Sequence, residues 1–168
     1  MLCVNFETAM VNQEFKGFIQ IDDFYESFIS STFISKDKYM KQWKEGMELI
    51  KFENKSMIIV DYYGHDNKKF EFCGVWWLLY KTKQKIMILN GWIPKTINGE
   101  KFSFDNWKNF IPDYEEYSNG GKTSEWVINL PSKPKVKQDS DKICLETLSR
   151  RRWPRPKGRY PFSRIDGE

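Results

Sequence analysis

The residue types that carry out chemistry are scarce in this chain and poorly spaced for it. His65 is the single histidine and stands in "YYGHDNKK", a polar turn between apolar runs. A histidine-activated nucleophile needs a partner within hydrogen-bond reach, and a histidine-rich metal site needs more than one imidazole. His65 therefore reads as a surface turn residue. Cys3, Cys73 and Cys144 lack the paired spacing of zinc ligands. Odd in number and far apart, they read as buried or incidental thiols rather than a disulfide framework. No P-loop or dinucleotide fingerprint appears, and "NGG" at 119–121 is a loop rather than a phosphate cradle. Asp22, Asp23 and Glu26 could act as paired carboxylates in acid–base work, yet nothing beside them specifies a substrate. The expectation is a protein that is not an enzyme and that takes no cofactor, metal or small-molecule substrate.

What remains is equipment for binding. Asp22, Asp23 and Glu26 carry three negative charges in five residues, and Asp113, Glu115 and Glu116 carry three in four. A solvated face is the ordinary reading of such clusters. The sharper one is a docking surface for a basic partner, because complementary charge speeds association. Tyr62 and Tyr63 are adjacent, as are Trp76 and Trp77 in "GVWWLLY". Neighbours in a strand point to opposite faces. One tryptophan therefore belongs to the core, and the other is either a second core contact or an aromatic anchor at an interface.

Charge is unevenly placed. The net charge is +4, and all six arginines lie from Arg150 onward, whereas the first 149 residues use 20 lysines and no arginine. "SRRRWPRPKGRY" (149–160) interleaves basic residues with a tryptophan, which could grip phosphates and stack on bases. The body it follows has no matching excess of positive charge, so the stretch reads as an unstructured appendage and nucleic acid is disfavoured as a partner. A nucleic-acid-binding module using this tail is the alternative.

The elements that must position these residues can be read from periodicity. "FKGFIQI" (15–21) has strand composition, and the run either continues through "DDFYESF" or breaks at Asp22 and Asp23. Ser35 can cap a helix over 36–52, in which Met40, Trp43, Met47 and Ile50 form one apolar stripe. Gly46 inside it suggests a close approach to a sheet. Residues 56–63 read as a strand, 69–80 and 85–93 as a hairpin around "KTKQ", and 123–130 as a last strand closed by Pro131. Between them, 94–121 reads as a long ordered loop anchored by Trp107, Phe110 and Tyr114. The fold class expected is α+β: a twisted, largely antiparallel sheet packed against one main helix. The domain would span 1–131, with 132–168 a linker and flexible basic tail. No run is long and apolar enough for a transmembrane helix, and the N-terminus lacks the form of a signal peptide, so a cytoplasmic protein is expected.

Three blocks, "GFIQIDDFYESFISSTFISKDKYMKQWKEGMELI", "WWLLY" and "IPDYEEYSNGGKTSEWVI", in that order, resemble the immunity proteins of contact-dependent growth inhibition systems, the CdiI family. The resemblance covers roughly residues 14–130. It implies a cytoplasmic protein that binds and neutralises the C-terminal toxin domain of a cognate effector. Many such toxins are nucleases with basic clefts, which makes Asp22, Asp23, Glu26, Asp113, Glu115 and Glu116, with Tyr62 and Tyr63, the candidate contacts. The final stretch "LETLSRRRWPRPKGRYPFSRIDGE" departs from the family.

Overall fold

In the computed structural model, which describes residues 1–11, 14–66, 68, 70–114 and 124–148 (backbone alone for 8–11), the main strands divide into two antiparallel sheets. The first sheet is built from both ends of the chain. β1 (Leu2–Val11), β2 (Glu14–Ile21) and β3 (Phe24–Ser30) form a meander. The late hairpin of β10 (Val136–Asp139) and β11 (Lys142–Leu145) joins it through β11 and β1, giving the order β10-β11-β1-β2-β3. The second sheet holds β4 (Lys55–Tyr62), β5 (Phe72–Thr82), β6 (Lys85–Pro94) and β9 (Glu125–Asn129) in the order β4-β5-β6-β9. A small hairpin, β7 (Thr96–Ile97) and β8 (Glu100–Lys101), stands apart. One long helix, α1 (Lys36–Phe52), connects the sheets, so the architecture is α+β.

Of the two readings left open for 15–28, the structure has the break: the run is a hairpin that reverses at Asp22, whose φ of 49° lies in the left-handed region that aspartate tolerates better than most residues. Two expectations need correction. The boundary at 131 falls inside the fold, because β10 and β11 pair with each other and with β1. Finally, Cys3 and Cys144 are not incidental thiols. They face each other in the β1–β11 register and are joined as a disulfide across a sequence separation of 141, while Cys73 is free and buried. Spacing along the chain could not show this pairing, since it depends on bringing the two ends of the chain side by side.

The second sheet is apolar on both faces because both are covered. Trp76 meets Phe102 at 6.2 Å, within the 94–114 segment that also buries Phe104, Trp107 and Phe110. Trp77 points the other way, to Trp126 at 5.0 Å, and Trp126 in turn packs on Phe24 of β3 at 4.6 Å. The twin tryptophans thus serve two separate layers, and each is 1% exposed. Lys55 and Tyr80 fasten the covering segment by hydrogen bonds to the carbonyls of Ile111 (2.9 Å) and Pro112 (3.1 Å).

Helix α1 begins where Ser35 accepts a hydrogen bond from Lys38 N–H, with Asp37 in the first turn. Its stripe of Met40, Trp43, Met47 and Ile50 is buried as the spacing predicts. Its second task is less ordinary. β4 is an edge strand, and unpaired strand edges must be covered or protected. The Gln42 side chain donates to the Met57 carbonyl (3.0 Å) and accepts from Ile59 N–H (2.9 Å). Trp43 Nε1 donates to the Ile59 carbonyl (2.7 Å), and Tyr39 OH accepts from Tyr62 N–H (2.9 Å). The helix therefore stands in for a fifth strand, through side chains.

This approach is close enough to need a glycine. A Cβ built on Gly46 would lie 2.3 Å from the Met57 carbonyl oxygen, a backbone atom that cannot swing away. Helix propensity alone favours Gly46→Ala by roughly 1 kcal/mol. Overpacking against β4 costs about 1–3 kcal/mol. The expected net result is destabilisation by up to about 2 kcal/mol, read from the shift in the urea midpoint; a stabilised variant would show that the helix is free to move off the edge.

Candidate functional site

The structure separates the residues that the sequence groups together. Asp22 forms an ion pair with the N-terminal ammonium of Met1 and accepts a hydrogen bond from Thr147 Oγ1 (3.4 Å), so its charge is spent within the fold. Asp23 beside it is exposed. Asp113 is ion-paired with Lys55 at 2.7 Å, on the covering segment of the second sheet. Glu115 and Glu116 lie outside the described residues, as does the basic stretch from Ser149 onward.

Glu26 turns inward. It shares a face of β3 with Phe24 and Phe28, and its Oε2 is buried without a hydrogen-bond partner among the described residues. Burial pushes its carboxyl up to about 7. The unfolded chain would ionise Glu26 near 4.5 whereas the fold retains the proton to about 7, so this residue's stabilising contribution is full below pH 4.5 and lost as the pH climbs through 7. Glu26→Gln keeps the shape without the titration. We expect wild type and variant to have similar urea midpoints at pH 4.5 and the variant to be the more stable at pH 8. Equal midpoints at both pH values would place the carboxylate in water. Asp61, pushed up to about 7 mainly by burial, leaves a residual slope in the same direction.

Tyr62 and Tyr63 part company. Tyr62 is 6% exposed, its ring packed among Phe33, Phe102 and Phe104. Tyr63 joins a surface that the sequence reading missed. Its ring lies 6.0 Å from Phe72, which lies 4.1 Å from Trp92, so a ladder of rings runs from the end of β4 across β5 to β6. Phe70 stacks on Phe72 at 5.1 Å and meets Tyr63 at 5.4 Å. Phe70 and Trp92 are 37% and 38% exposed. Asp61 stands in the same cross-strand row as Trp92, through Val75, and accepts a hydrogen bond from Ser31 N–H (2.8 Å). The available signal was the alternation of Phe70 and Phe72 in "KFEF", but their meeting with Trp92 depends on strand register.

Among the described residues no group of three or more His, Cys, Asp or Glu is placed to hold a metal ion, and no helix is long and apolar enough to cross a membrane. His65 Nε2 contacts the carbonyl oxygen of Phe102 and thereby ties its turn to the covering segment. A trough of about 350 Å³ between α1 and the β10–β11 turn is lined by residues of both charges, including Asp37, Lys41, Lys44 and Asp141. The arrangement offers surfaces for contact rather than a set of converging reactive groups.

A solved structure described as a CdiA-CT/CdiI toxin and immunity complex from Enterobacter cloacae matches with a TM-score of 0.61 at 23% identity, over 77% of this chain and 90% of that one. At that identity the likeness is one of fold. No curated protein matches. The family model described as the CdiI N-terminal domain matches residues 29–133, from the end of β3 past the end of β9 and so across more than half of the sequence. This chain belongs to the CdiI family.

Proposed function

We propose that the protein is an immunity protein, which binds the C-terminal toxin domain of a cognate contact-dependent inhibition effector and so protects the cell that makes both. The observation that carries this reading is the family match over residues 29–133. The preformed β-sheet surfaces fit it, because tight inhibition rests on rigid anchors that lose little freedom on binding. Neutralisation then requires no chemistry from this chain; it covers the toxin's active cleft or binds beside it, in the cytoplasm where the toxin acts.

A nuclease is the toxin class this reading favours, since a cleft that attracts phosphate presents the basic surface that carboxylates complement. Asp23 is exposed for such a contact. Asp22 and Asp113 would first have to exchange their internal partners, and Glu26 would contribute from within the fold. The test is a growth assay in cells expressing the toxin domain encoded immediately upstream, with and without this chain. Growth is expected to be restored by the full chain, and also by a chain ending at Leu148. Unrelieved inhibition in the presence of folded full-length protein would exclude the proposed pairing.

A further inference from the structure

We propose that the Cys3–Cys144 pair is a thiol–disulfide exchange site, in which Cys144 is the sulfur that a small thiol or its disulfide reaches and Cys3 is the sulfur that resolves the mixed disulfide. The reactant class is a low-molecular-weight thiol such as glutathione. The inference stands independently of the immunity reading.

Placement comes first. Leu2 and Val4 of β1 and Ile143 and Leu145 of β11 are buried in the core. Side chains alternate along a strand, so Cys3 and Cys144 stand on the opposite, outer face of the first sheet. Neither belongs to the apolar core cluster, whereas the third cysteine, Cys73, does. In register, the outer row runs Lys137, Cys144, Cys3, Gln20 and Tyr25, one residue from each strand. Lys137 and Tyr25, at the two ends of the row, are exposed. Cys3 occupies the middle strand, between Cys144 and Gln20, and is 0% exposed. Cys144 lies one strand nearer the sheet edge and is half-buried. The two sulfurs of one bond thus differ in access.

Exchange requires a thiolate to reach one sulfur of a disulfide and displace the other. In the oxidised protein an incoming thiolate attacks Cys144 Sγ, the Cys3–Cys144 bond breaks, and its electron pair leaves on Cys3, which takes a proton from water. A second thiol then attacks the external sulfur of the mixed disulfide and releases Cys144. In the other direction Cys144 attacks an external disulfide and releases one thiol. Cys3 next attacks Cys144 Sγ and releases the second, so two protein thiols are oxidised for each external disulfide reduced. The register keeps Cys3 opposite Cys144 in the dithiol form, because the buried residues on either side hold β1 against β11. Resolution is therefore intramolecular. Charge does not choose between the sulfurs, since Lys137 and Lys142 share the outer face with Asp139, and Glu146 adjoins it. Access does. Cys73 stays out of the exchange, because it is fully buried and burial pushes its thiol up to about 11.

The experiment reduces the full-length chain, removes the reductant, adds oxidised glutathione and follows acid-quenched samples by peptide mass spectrometry. It compares wild type, Cys3→Ser and Cys144→Ser, each checked for its fold by circular dichroism. Wild type is expected to close to the Cys3–Cys144 disulfide and to release both halves of the glutathione disulfide. Cys3→Ser should stop at a mixed disulfide on Cys144, since nothing resolves it. Cys144→Ser should acquire glutathione on Cys3 about 10-fold more slowly or worse. A second measurement needs no substitution: brief iodoacetamide treatment of the reduced wild type should label Cys144 well before Cys3 or Cys73. Modification of Cys3 as fast as Cys144 would overturn the assignment of the two sulfurs. A wild type that accumulates glutathione on Cys144 without closing would deny Cys3 its resolving role. Equal labelling of all three cysteines in the reduced wild type would mean that the dithiol form does not keep this face, and would overturn the proposal as a whole.

Discussion

Trp43→Ala is expected to lower the free energy of unfolding by about 4 kcal/mol, a large share of the 5–15 kcal/mol typical of a domain. Trp43 is fully buried and joins three parts of the fold. Its ring meets Phe6 of β1 at 4.4 Å and Phe28 of β3 at 5.8 Å, while its indole N–H donates to the Ile59 carbonyl on β4. Truncation would leave a cavity at the junction of both sheets and the helix, and would strip a partner from a buried carbonyl. Trp43→Phe separates the two effects. It restores most of the volume but not the hydrogen bond, and should cost about 1–3 kcal/mol. Urea denaturation followed by circular dichroism reads both. If the alanine variant lost less than about 1 kcal/mol, the helix would not be the element that holds the sheets together.

Reduction of the Cys3–Cys144 disulfide should lower stability by about 3 kcal/mol. The bond closes nearly the whole chain, with a sequence separation of 141, and so restricts the unfolded ensemble strongly. The strands it links should stay paired without it. Leu2, Val4, Ile143 and Leu145 are all buried and hold β1 against β11 through the core. The reduced protein should therefore fold to the same structure with a lower urea midpoint. That matters for a protein proposed to work in the cytoplasm, where thiols are kept reduced. Working stability there would be that of the dithiol form. Cys3→Ser should match the reduced protein and stop responding to dithiothreitol. An identical midpoint with and without dithiothreitol in the wild type would mean that the cross-link restricts the unfolded chain far less than its span implies.

The elements that local periodicity specifies were legible in the sequence. Met40, Trp43, Met47 and Ile50 announce α1 by spacing alone, and the apolar runs around "KTKQ" announce the β5–β6 hairpin. What escaped depends on topology. β10 and β11 read as a linker because Lys137, Gln138 and Asp139 are exposed on an edge strand, so the hairpin carries little apolar signal beyond Ile143 and Leu145. The disulfide escaped for the same reason, as its partners meet only when β11 reaches β1. Gln42 is polar and adjoins the apolar stripe, yet it is 2% exposed and bonded to the edge of β4. Pattern cannot distinguish a polar residue facing water from one facing an open strand edge. Of the candidate contacts, Tyr63 lies in the ring ladder, but Phe70, Phe72 and Trp92 were invisible as a group because strand register, not sequence proximity, assembles them.

The most direct test of the central claim is co-expression of the full-length chain with the toxin domain encoded immediately upstream, purification through a tag on the toxin alone, and size-exclusion chromatography with light scattering. The immunity reading predicts a single peak that contains both proteins, as a tight toxin–immunity pair should give. Separate peaks for the folded toxin domain and this folded chain, at micromolar concentrations of each, would contradict it.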